Sequence, residues 1–61
     1  MTIREAFATI GKAGTLATSE GLRVRITIID AKQAYGNVRL HVQGEEGTSA
    51  WIDSARVKVL A

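Results

Sequence analysis

Apolar and polar residues alternate most regularly in two stretches, and both read as half-buried strands. From Leu22 to Ala31, Leu22, Val24, Ile26 and Ile28 alternate with Arg23, Arg25 and Thr27, the two-residue period of a sheet with one face in a core and one in water. Ile29 interrupts the alternation, which predicts a bulge, a second contact surface, or a place where a helix covers the sheet. From Asn37 to Gln43 the rule points Val38, Leu40 and Val42 inward and Arg39 and His41 outward. Asp30 to Gly36 reads as the connection between the two strands. Thr15 to Thr18 suits a short first strand, turned back by Ser19-Glu20-Gly21.

The ends of the chain carry different signals. Gly44 and Gly47 bracket Glu45-Glu46 and supply the backbone freedom of a hairpin turn. Thr48 to Asp53 is then rich in strand formers, Asp53-Ser54 can bond to the local backbone and break the strand, and Val57, Val59 and Leu60 resume an extended apolar pattern. At the start, Thr2 and Glu5 have capping-box spacing, and Ile3, Phe7 and Ile10 recur at helical spacing before Gly11. A helical segment is expected over residues 2–11, its apolar stripe docked on the sheet or on another subunit, because so short a helix does not persist alone. An extended arm is the competing reading, since Thr9 and Ile10 also suit a strand. The result is a single domain, residues 1–61.

Strand parity decides which side chains share a face. Ala50 and Ile52 fall on one side of their strand and Trp51 on the other, with Arg23, Arg25, Arg39 and His41 on the outer side of the neighbouring strands. An indole among guanidinium groups suits nucleic acid, cations meeting phosphates and the ring offering a stacking surface. The same indole, together with the N-terminal segment, also suits a protein interface or self-association, where Trp and Arg are enriched, and a lone Trp in a small domain can simply cover the core. Tyr35, in Ala34-Tyr35-Gly36, either edges a binding groove or packs on the rim.

Composition narrows these readings. A chain of 61 residues holds one small core and buries only about 60% of its unfolded surface. With no cysteine and one histidine, neither disulfides nor a zinc cluster can reinforce it, so a homo-oligomer is a reasonable expectation. His41 alone supports no metal site, and Gly11-Lys12-Ala13-Gly14 lacks the remainder of a phosphate-binding loop; no cofactor is expected. No nucleophile, base and orienter fall together, so the chain reads as non-enzymatic. It carries neither a long apolar run nor a leader-like start, which fits a soluble cytoplasmic protein with no membrane partner. The net charge of +2 and pI near 9.5 permit an acidic partner. Acidic residues at Glu5, Glu20, Glu45, Glu46 and Asp53 favour a protein one.

Gly47 through Leu60 carries a family resemblance. Ala50-Trp51-Ile52 resembles the fourth strand, Asp53 to Arg56 the one-turn link, and Val57 to Leu60 the last strand of a Src-homology-3-type barrel, and the pattern extends over residues 14–60. The resemblance implies a mainly β fold, a small five-stranded barrel behind a short N-terminal helix. The chain is more similar to bacterial, phage and plasmid barrels, which serve as nucleic-acid binders, assembly modules and rarely enzymes. It lacks an acidic-aromatic motif on the first strand and a paired tryptophan on the third, and it has Asp53 where the signalling members place proline, so proline-rich peptides are not expected ligands. The Val-Gln-Ile-Tyr stretch of type II dihydrofolate reductases is missing at Ser49 to Ile52.

Overall fold

The computed structural model describes residues 1–60; Ala61, the last residue of the expected domain, lies outside the described residues. A six-residue helix α1 (Ile3–Ala8) precedes strands β1 (Ala13–Ala17), β2 (Arg23–Ala34), β3 (Asn37–Gly44) and β4 (Ser49–Asp53), a 3-10 turn over Ser54–Arg56, and β5 (Val57–Val59). All pairings are antiparallel and the sheet order is β4-β3-β2-β1-β5. It is an open sheet, with β4 and β5 as its edges.

The helix begins where the capping box places it. The Thr2 hydroxyl accepts from the Glu5 amide and the Glu5 carboxylate accepts from the Thr2 amide, both at 3.1 Å. The bond from the Thr2 amide, then that from its side chain, holds the exposed Glu5 carboxyl below its ordinary pKa. Any stabilisation from this ionised cap is therefore present above the unfolded-state pKa and lost as pH falls through the lowered folded value. The face that docks is not the expected stripe. Ala6 and Thr9 are buried and Ile3 packs partly against the core, whereas Phe7 and Ile10 are 53% and 41% exposed. The helix stops at Ala8, and the small Ala6 lets it lie close to the sheet; the bulky Phe7 points away.

The core follows the alternation. Ile26 and Ile28 of β2, Val38, Leu40 and Val42 of β3, and Val57 of β5 are buried with Ala6 and Ala31, and Ile28 and Leu40 are fully enclosed. Leu22 precedes β2 and Val24 lies near its start; both remain exposed rather than entering the core.

The bulge expected near Ile29 is present: Ile28 pairs with Val42 but Asp30 pairs with His41, so Ile29 is the extra residue. The Asp30 carboxylate accepts from the Ala31 amide at 2.8 Å, satisfying a donor within the distorted stretch. Asp30 to Ala34 is not a loop, as the sequence suggested, but the second half of β2. Its pairing with β3 runs to Ala34↔Asn37, which leaves Tyr35-Gly36 as a two-residue turn. Both turn residues have positive φ, 52° and 80°, as a type I′ hairpin requires. Glycine accepts this freely, whereas a residue with a Cβ in the left-handed region costs about 1–2 kcal/mol.

Candidate nucleic-acid interface

The outer face of the sheet carries most of the positive charge, in two groups. The first surrounds β1. Lys58, Thr15 and Arg25 lie opposite one another across β5, β1 and β2, and Arg23 pairs with Ala17 in the next outward row. From the 3-10 turn, Arg56 donates to the Ala17 carbonyl at 3.3 Å, bringing its guanidinium to the same end of β1. Arg23, Arg25, Arg56 and Lys58 are all exposed, and β1's ladder partners in these rows include no carboxylate. Glu45, from the β3–β4 turn, lines a shallow hollow with Arg25. The Thr15 hydroxyl, between the Arg25 and Lys58 positions, is buried without a hydrogen-bond partner.

The second group is centred on Trp51. His41 pairs with Trp51 across β3 and β4, and the rings stack with centroids 4.6 Å apart and planes 16° from parallel. Lys32 reaches over from β2, its Nζ 4.3 Å from the centre of the indole, a cation–π contact worth about 0.5–1 kcal/mol at an exposed site. Arg39 pairs with both Lys32 and Asp53, and Asp30 pairs with His41, so both signs of charge rim the indole. The two carboxylates also serve the backbone: Asp30 bonds the Ala31 amide and Asp53 the Ala55 amide.

Distance along β2 explains this division. Arg25 stands five positions before Asp30 on β2 and Trp51 two strands beyond Asp30, so Arg25 and Trp51 are separated by roughly 15–20 Å. The expected convergence therefore splits: Arg39 and His41 lie with Trp51, Arg23 and Arg25 lie with β5, and Tyr35 sits at the tip of the β2–β3 hairpin, fully exposed. Arg56, Lys58, Lys32 and Asp30 are additions that the sequence reading did not single out. Lys58 had a usable signal, its place between Val57 and Val59; Lys32 had none once Asp30 to Gly36 was read as a loop.

Trp51 is half-buried on the outer face, opposite the core side chains Leu40 and Val42. The helix packs on the core side through Ala6, so Trp51 and the N-terminal segment do not form one surface. An apolar cleft of about 210 Å³ opens beside β4 between Leu16, Val24, Ile26, Val42, Ala50 and Ile52, smaller than the usual small-molecule site. Among the described residues no cluster of His, Cys, Asp and Glu is placed to hold a metal ion, and no helix is long and apolar enough to cross a membrane. No family model, curated protein or solved structure matches the chain.

Proposed function

We propose that this chain is a non-enzymatic module that binds nucleic acid along the outer face of its sheet, with Arg23, Arg25, Arg56 and Lys58 neutralising phosphates. The observation that carries this reading is the gathering of those four exposed cations around one short strand. Clustered positive charge gains affinity by releasing counterions, a term that does not depend on base sequence. The fold we assign to it is a small Src-homology-3-like barrel, supported by the meander from β1 to β4, the 3-10 turn, and the return of β5 to β1. A cytoplasmic location belongs to the same proposal.

Fluorescence anisotropy with a short labelled duplex, over a range of salt concentrations, tests the binding. Replacing Arg23 and Arg25 together with Ala is expected to weaken binding and to reduce the log–log salt slope by about 1.8, at about 0.9 per phosphate contact. Arg4→Ala, on the helix, leaves the slope unchanged. An unaltered slope in the folded double variant would remove the proposal.

The mixed charge around Trp51 favours a second reading, in which the Trp51–His41–Lys32 patch is a protein interface. Self-association is its simplest form. Light scattering should then show a mass that rises with concentration, and Trp51→Ser should abolish the rise. A concentration-independent monomer counts against self-association.

A further inference from the structure

The β2–β3 hairpin ends in an aromatic residue that its turn does not favour. Type I′ turns are held most readily by Asn-Gly or Gly-Gly, yet here the first position is Tyr35, at φ 52°. The ring gains no burial in exchange, since Tyr35 is 102% exposed. A strained, bulky residue with no return inside its own chain points outward to a ligand. Leu60, Leu22 and the other exposed apolar residues lack this combination, because their backbones carry no such strain.

The surroundings identify the ligand. Lys32 and Arg39 face each other across the hairpin behind the turn; the Lys32 ammonium lies over Trp51, which leaves Arg39 as the cation of this pair not held by the indole. Trp51, on the outer face, is already stacked by His41 and approached by Lys32. Of the two, Tyr35 is therefore the aromatic with an open π surface. A ring on a hairpin tip with a guanidinium behind it matches a base and an adjoining phosphate. In a duplex the faces of the bases are hidden within the stack; only an unpaired base can offer its face to a side chain.

We propose that Tyr35 is a stacking residue for an unpaired nucleobase, with Arg39 meeting an adjoining phosphate, so that the chain prefers single-stranded nucleic acid. This rests on the nucleic-acid reading above and specifies its ligand. Titrating the intact protein with a labelled oligothymidylate, and with a duplex of equal length, tests it. Tyr35→Asn keeps a residue that suits the turn and removes the ring, so the variant stays folded. It is expected to lose roughly 5- to 100-fold in single-strand affinity with little change for the duplex, while Tyr35→Phe retains the wild-type value. Equal single-strand affinity of wild type and Tyr35→Asn, or a wild-type preference for the duplex, overturns the inference but leaves the phosphate-binding proposal standing. Folded wild type that binds neither oligonucleotide overturns both and reassigns the exposed ring to a protein contact.

Discussion

Leu40→Ala is expected to remove roughly half of the protein's stability or more. Leu40 is fully buried at the middle of β3, paired with Ala31 on one side and Ile52 on the other, and among the described residues Ile28 is the only other large side chain so completely enclosed. Truncating a buried leucine costs about 2–5 kcal/mol, through lost transfer energy and the cavity left behind. For a chain of 61 residues total stability is expected at about 3–9 kcal/mol, so the loss takes roughly half of it. Urea unfolding followed by fluorescence of the single Trp51 measures it. A midpoint equal to that of the parent would mean that the sheet is held together elsewhere.

The second large effect is expected at Gly14, where the sign of the change is the informative quantity. Gly14 has no positive φ, and at such a position Gly→Ala ordinarily stabilises by about 0.4–1 kcal/mol through the unfolded chain. Here a Cβ would stand 2.8 Å from the Lys58 carbonyl oxygen, 3.3 Å from Ile26 Cδ1 and 3.5 Å from Val57 Cγ1. The carbonyl belongs to a backbone that cannot swing aside as a side-chain end can. Overpacking of this kind costs about 1–3 kcal/mol and outweighs the entropic gain. Its effect concentrates on β5, which is attached through Gly14↔Val59, Thr15↔Lys58 and Leu16↔Val57. Gly14→Ala should lower the thermal midpoint and speed hydrogen exchange at the Leu60 amide, which donates to the Ala13 carbonyl at 3.0 Å. A raised midpoint would show that the two strands can separate without penalty.

How much of this was legible in the residues depends on where packing, rather than local preference, decides the conformation. Val38, Leu40 and Val42 alternate cleanly, and they are buried as expected because a half-buried strand has few other ways to satisfy that pattern. The capping box at Thr2 and Glu5 was equally legible, since its chemistry is local. Asp30 to Ala34 was not: Asp, Ala and Lys are poor strand formers, but pairing with β3 and the two-residue turn hold them extended. The helix face was misjudged for a related reason. Phe7 and Ile10 have the right spacing, yet close approach to the sheet selects the small Ala6.

The candidate site suffered from that same stretch. Reading β2 as ending before Lys32 hid the cation that meets Trp51, and parity, which says which face a residue takes but not how far along the strand it stands, grouped Arg23 and Arg25 with a tryptophan at the other end of β2. The rows of β1 were recoverable in principle, since Lys58 alternates with Val57 and Val59. Arg56 was not, because its position depends on a hydrogen bond to Ala17 that no spacing rule announces.

The extra residue at Ile29 bears on how such a chain can change over generations. Substitutions on either side of it can accumulate one at a time, because each alters one face at one place. Loss of Ile29 alone is different. It would leave Ile28 opposite Val42 and Asp30 opposite His41 with no residue between them, a regular ladder in which Asp30 and Lys32 stay outside and Ala31 inside, so what it removes is the bend and added twist of the bulge and not the pattern of faces. That single insertion therefore sets the bend between the block that carries Arg23 and Arg25 and the block that carries Lys32, while the burial of each block is inherited with or without it.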